Sequence, residues 1–264
     1  MESPKNLAII VTACLPFIFL KQIVVGLDFS LLGIAIFKII LLGSYGVIIY
    51  RTHPQALKQA VVGRPRNSIL FLLLIPSFVL YANGFDIGVI LTNITADYRV
   101  SLFEFQRIFL SAALEEFLFR IIVFYGILCI LNDVAGSVWK AILLSSVVFG
   151  LCHLNNIGVI GLRSTVLQSY GAFALGFLLC ILYLETNNIL TVLTAHFLIN
   201  YFSHFSDPAT NETTDIVTAV PTVISFIFTI VFFSIPFFLG LLAIKYRRKE
   251  KFHVYPSCLK YQIR

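Results

Sequence analysis

The sequence predicts an all-α polytopic membrane protein of about eight transmembrane helices, and three observations predict it. First, 59% of the 264 residues are hydrophobic and only 12% are charged, with a mean hydropathy of +0.93. Soluble domains carry about twice that charged fraction. Second, the apolar residues gather into runs of roughly 20, the length that crosses a bilayer as a helix. Third, runs such as Ile69 to Ile75 do not alternate with polar residues, as the strands of a membrane barrel would. Helices remain, because lipid leaves no other way to satisfy the backbone.

The expected spans are approximately 6–26, 30–50, 68–91, 106–131, 138–156, 165–185, 188–205 and 218–244. The first follows Lys5 and has no convincing small-residue cleavage site, so it reads as a span and not a signal peptide. The third is interrupted by Pro76 and by Asn83-Gly84, which points to a kinked or re-entrant segment. The fourth is expected to begin near Ser101, which with Glu104 resembles a capping box. Its polar first turns (Glu104, Gln106, Arg107) suit the membrane interface, and the helix should run on to about Ile130. The fifth is expected to end at Asn155-Asn156. No repeat or soluble appendage is visible, so a single integral-membrane domain is expected over 1–264.

The net charge is 19 − 13 = +6, and its placement matters more than its sum. Arg51, Lys58, Arg64 and Arg66 share one loop, and Lys245, Arg247, Arg248, Lys249, Lys251, Lys260 and Arg264 crowd the C-terminal tail. Such clusters mark cytoplasmic flanks. The acidic loop Asp207–Asp215 falls on the other side of an eight-span chain, which puts both termini in the cytoplasm. No basic soluble domain exists to hold nucleic acid, so the expected partners are the lipid bilayer and a membrane-associated or membrane-inserted peptide. His53 and His253 sit in the basic flanks and are expected to be solvated. The cysteines Cys14, Cys129, Cys152, Cys180 and Cys258 show no C-x-x-C pairing, and neither a disulfide framework nor a cysteine zinc site is expected.

Ionisable residues inside apolar spans are costly and by default mark function. Glu115, Glu116 and Arg120 lie in the fourth span, His153 near the end of the fifth, and His196 and Asn200 in the seventh. With alternating helix directions, all lie at similar depth below one face, very roughly 5–15 Å at 1.5 Å per residue. That places a polar catalytic cavity between helices four, five and seven. Glu116 and Arg120 are spaced to share a helix face, while Glu115 points to another neighbour. On this reading Arg120 neutralises one glutamate and the other stays able to exchange a proton, since crowded carboxylates resist joint ionisation. A structural ion pair would need only one glutamate. Phe149 and His153, like His196 and Asn200, are also four apart. Asn200 can donate to a developing oxyanion, and His204 lies behind it. Together these groups point to an intramembrane hydrolase.

The ordered set Glu115-Glu116-x-x-x-Arg120, Phe149-x-x-x-His153 and His196-x-x-x-Asn200 resembles the CPBP (Abi) family, which includes type II CAAX prenyl endopeptidases and bacterial self-immunity proteins. The resemblance covers roughly residues 105–205 and implies that this stretch is the catalytic core. It implies an intramembrane endopeptidase in a bacterial plasma membrane. Glu115 and His153 would activate water, His196 and Asn200 would stabilise the oxyanion, and Glu116 and Arg120 would order the site. The family is often described as metalloendopeptidase. Glu115, His153 and His196 form a ligand set found in catalytic zinc sites, but H-E-x-x-H is absent and a glutamate–histidine pair can activate water alone. Zinc is left open. Two other functions fit less well: a proton-coupled transporter with the Glu and His residues as a relay, which should show repeated halves, and a catalytically idle immunity or scaffold protein.

Overall fold

A computed structural model describes residues 3–20, 30–54, 56–58, 102–131, 136–205, 231, 234–235 and 237–242. All regular structure among them is helical: α1 (Ser3–Ile18), α2 (Leu31–Thr52), α3 (Leu102–Glu116), a π-helical stretch (Phe117–Val123), α4 (Phe124–Ile130), α5 (Ser137–Cys152), a 3-10 turn (His153–Asn156), α6 (Ile157–Thr186) and α7 (Ile189–Phe205). The expected third span, most of the eighth, the Ser101 cap, the acidic Asp207–Asp215 loop, the C-terminal basic cluster, the His204 side chain and His253 lie outside the described residues.

Among the described residues, Leu31–Thr52, Ser137–Asn156 and Thr165–Thr186 are long and apolar enough to cross a membrane. They coincide with the expected second, fifth and sixth spans to within two residues. Pro4–Ile18 and Ile189–Tyr201 are shorter apolar helices. The outward residues of α2 are the sort that face lipid: Leu32, Ile40 and Tyr50 are each more than 60% exposed. Its buried stripe is Lys38, Leu41, Tyr45 and Ile49, spaced three and four apart as one helix face requires.

The chain divides into two compact units. The first comprises residues 1–18, 119–184 and 212–264. In it α4 packs on α1 and α5, and Gly126 lets the Ile10 side chain approach closely: an added Cβ would stand 2.8 Å from Ile10 Cδ1. Glycines also bring α5 against α6. A Cβ on Gly150 would meet the Ser169 carbonyl at 2.8 Å, and one on Gly176 would meet the Phe149 ring at 2.7 Å. Small residues at helix interfaces are how membrane helices gain dispersion contact without a solvent driving force. The Ser169 hydroxyl donates to the Gly150 carbonyl at 2.7 Å and ties the same crossing. The α6 helix breaks at Gly161, whose φ of 76° and ψ of 165° are open to glycine.

The second unit comprises residues 19–118 and 185–211. Its α3 packs against α2 and α7 around Ala112, Ala113 and Leu193, with Leu42 and Phe197 against them. α7 starts sharply because Asn188 caps it, accepting the Thr191 N–H at 3.1 Å. Asn187 before it adopts φ 49°, a left-handed turn that asparagine tolerates. The Ser30 hydroxyl caps α2 likewise, accepting from the Gly33 N–H at 3.2 Å.

Two expectations, one for a basic flank and one for the cysteines, are corrected. His53 is only 4% exposed, because the chain turns there: its N–H closes α2 on the Ile49 carbonyl and its own carbonyl accepts from Leu57 N–H. Burial pushes its imidazole down to about 4. Cys14, Cys152 and Cys180 carry no disulfide, whereas Cys129 is disulfide-bonded.

Candidate functional site

In the second unit, Glu115 and Glu116 end α3 and His196 lies midway along α7. The α3–α7 packing brings the imidazole between the carboxylates. His196 Nδ1 lies 2.6 Å from Glu116 Oε1, and its Nε2 lies 3.5 Å from Glu115 Oε2. Glu116 is fully buried and His196 is 3% exposed, whereas Glu115 retains 14% exposure. A hydrogen bond from Nδ1–H to Glu116 selects the tautomer, leaving Nε2 to accept a proton or, when protonated, to donate one. A charge-assisted contact this short holds the ring firmly. Asn200 follows one turn later on α7 and is half-buried.

Phe105, Phe109, Phe197 and Tyr201 form an aromatic group on the same two helices, with Phe105 and Phe197 centroids 5.0 Å apart. It locks α3 and α7 laterally, which keeps the His196 ring at the height of Glu116.

In the first unit, Arg120, Phe149 and His153 are stacked. The Arg120 guanidinium is fully buried and its carbon lies 5.2 Å from the centre of the Phe149 ring, a cation–π arrangement. Phe119 and the His153 ring each meet Phe149 edge-on at 4.9 Å. The Phe149 ring in turn rests on Gly176. His153 Nδ1 is 2.9 Å from the Phe149 main-chain carbonyl. A carbonyl only accepts, so Nδ1 must carry the proton and Nε2 of the neutral ring presents its lone pair. The F-x-x-x-H spacing therefore sets both the ring position and its tautomer.

The glutamates sit where α-helix gives way to π-helix, and Arg120 lies inside the π stretch. The i,i+4 spacing of Glu116 and Arg120 assumed uniform α-helical rotation. The wider i→i+5 turn changes that rotation, and such turns recur at functional sites. Phe117–Val123 contains neither glycine nor proline, so nothing in its composition announces the turn. Spacing along one helix says nothing of the contact between Glu116 and His196, because it joins two helices 80 residues apart in sequence.

Reading by motif also passed over Lys38, which is 7% exposed inside the apolar α2. Its ammonium donates to Ser111 Oγ at 2.6 Å and reaches the Arg107 carbonyl at 3.4 Å. The signal was available: an ionisable residue inside an apolar span.

Among the described residues, no group of three or more His, Cys, Asp or Glu side chains is arranged to hold a metal ion. His196 Nδ1 is already engaged by Glu116. The description as metalloendopeptidase thus gains no support from the donor set, and no step below passes through a metal.

No curated protein and no solved structure matches the chain. A family model does match: the one described as type II CAAX prenyl endopeptidase Rce1-like, over residues 100–202. That range holds Glu115, Glu116, Arg120, His153, His196 and Asn200, so the chain carries a domain of the Rce1-like type II CAAX prenyl endopeptidase (CPBP) family.

Proposed function

We propose that the chain is an intramembrane endopeptidase that hydrolyses a peptide bond in a membrane-associated or membrane-inserted peptide. The observation that carries this reading is the buried Glu115–His196–Glu116 arrangement inside the matched domain. Glu115 and His153 are assigned to one scissile bond because their motifs follow one another in that domain. Glu115 is the partly exposed carboxylate of the pair, which suits a group that must meet water. His153 offers an Nε2 lone pair, which suits a general base.

In the reaction, a water oxygen attacks the carbonyl carbon while one of its protons passes to Glu115, with His153 holding the water by a hydrogen bond to Nε2. His196, through a protonated Nε2, and Asn200, through its amide, donate to the oxyanion. The C–N bond then breaks and the proton goes to the departing amine. One peptide bond and one water become a carboxylate and an ammonium, the water's second proton passing from the new carboxyl group to the amine. Glu116 orders His196, and Arg120 orders the His153 side through Phe149. The reading includes eight spans in a single domain over 1–264, a polar cavity between helices four, five and seven of that count, and a bacterial plasma membrane with both termini cytoplasmic.

The test compares membrane-associated peptides and new protein termini from cells expressing wild type or Glu115→Gln at equal levels. Products present with wild type and absent with Glu115→Gln support the peptidase and reveal its substrate, prenylated or not. A chelator arm reports on metal. Matching profiles, with a phenotype that both proteins share over empty vector, would instead favour a binding role.

A further inference from the structure

Two amides outside the three motifs, Asn156 and Gln168, meet beside His153, and all three residues belong to the first unit. Asn156 closes the 3-10 turn that His153 opens. In such a turn side chains three residues apart eclipse one another, so Asn156 projects in the same direction as His153, about 6 Å further along the axis. Its Nδ2 donates to Gln168 Oε1 at 2.8 Å. Gln168 lies in the first turn of the apolar stretch Thr165–Thr186 of α6.

One hydrogen bond does not satisfy two primary amides, each of which carries an acceptor oxygen and two N–H donors. Among the described residues neither side chain makes a second hydrogen bond. The Asn156 carbonyl oxygen and both Gln168 N–H groups are therefore open. Gln168 is exposed, and Asn156 and His153 are half-buried, so these groups reach the surface. The exposed side chains that flank them in sequence, Leu151, Leu154 and Val166, are apolar. A staple between the turn and α6 would need only the bond it has. An acceptor and two donors left open on an apolar membrane surface are costly unless water or a partner takes them. A peptide main chain offers the matching set, one N–H and one C=O per residue.

We propose that Asn156 and Gln168 clamp the main chain of the substrate: the Asn156 carbonyl accepts a peptide N–H, and the Gln168 amide donates to a peptide C=O. The rise of about 6 Å from His153 is close to two residues of an extended strand. The clamped group thus lies about two residues from the bond that His153 addresses. Recognition through the main chain favours an extended peptide without selecting one sequence. The inference rests on the peptidase reading for its catalytic consequence, but the binding is measurable without cleavage.

The experiment uses the full chain carrying Glu115→Gln in lipid nanodiscs, so that bound peptide is not consumed. The probes are a capped hexaleucine amide with one photoreactive leucine and its oligoester counterpart, in which every peptide N–H is replaced by oxygen. Crosslinked chain against probe concentration gives an apparent affinity for each. Partition into lipid is common to all variants and cancels when the ratio of the two affinities is compared between proteins. That ratio should fall about 5-fold when Asn156→Leu is added, the worth of one hydrogen bond. Loss of a staple would weaken both probes alike and leave the ratio unchanged, which overturns the inference, as does a peptide that is not captured at all. Circular dichroism checks the fold, and Asn156→Ala takes the place of Asn156→Leu if the latter does not fold. With a cleaved peptide in hand, Asn156→Leu in the otherwise unchanged chain should raise KM by the same factor and leave kcat, as uniform binding does. A ratio that falls although the unchanged chain cleaves nothing supports the clamp and overturns the peptidase reading. Cleavage with an unchanged ratio does the reverse.

Discussion

The two units treat their histidines differently. His153 is half-buried, held by a main-chain carbonyl and an aromatic edge. His196 is almost fully buried, held by a carboxylate on one nitrogen with a second carboxylate near the other. Both are anchored through Nδ1, which leaves Nε2 of each ring for other partners. A carbonyl anchor orients a neutral ring and adds no net charge. A carboxylate anchor orients the ring and also stabilises any positive charge that forms on it. On the proposed reading, that difference suits one histidine to act as base and the other as donor.

The largest expected effect breaks the carboxylate side at its exposed member. Glu115→Gln should lower cleavage by about 10²–10⁴-fold, the usual contribution of a positioned general base. It should leave the fold intact, since Glu115 keeps access to solvent. Quantified release of the product terminus, beside a thermal melt, checks both halves.

Glu116→Ala strikes the buried member. It removes the Nδ1 anchor of His196 and leaves that imidazole buried without its partner carboxylate, a change that costs about 3–5 kcal/mol for buried pairs. Unlike Glu115→Gln, it should therefore depress the unfolding midpoint as well as activity. Equal midpoints for the two variants would erase the distinction between them.

On the His153 side the break is steric. Gly176→Ala places a Cβ 2.7 Å from the Phe149 ring and should cost about 1–3 kcal/mol by overpacking, displacing the stack that carries Arg120 and His153. A thermal melt gives the size, and paired replacement of Phe149 by Leu should recover part of it. Simple additivity of the two changes would count against the stack.

How far these features were legible in the sequence follows the same division. The second, fifth and sixth spans were legible because uninterrupted apolar runs leave one solution in lipid. The residues of the site were legible because charge inside such runs is rare. The contact across helices was not: helix periodicity sees only neighbours along one helix, such as Glu116 and Arg120. The contact of Glu116 with His196 depends on how α3 meets α7, which spacing cannot encode. Phe149 appeared only as part of a motif, since its footing on Gly176 joins two helices. Lys38 was visible and unread, because attention went to clusters and it stands by itself in its run.

The smallest expected effect lies away from the site. His53 has its folded value lowered to about 4 by burial, against an ordinary 6.5. Between those values the unfolded chain binds a proton that the folded chain does not, so stability is full above about pH 6.5 and falls as pH drops toward 4. The loss is about 3 kcal/mol at most. The pH dependence of unfolding in the wild type and His53→Leu checks it: the variant should lose the decline in this window.

The central claim is that Glu115 directs water to a peptide bond. The most direct measurement supplies the purified full chain in nanodiscs with the peptide recovered from cells, in water enriched in heavy oxygen, and reads the new C-terminus by mass spectrometry. The account predicts one heavy oxygen in the terminus made by wild type and no product from folded Glu115→Gln. Product formed equally by Glu115→Gln would contradict it.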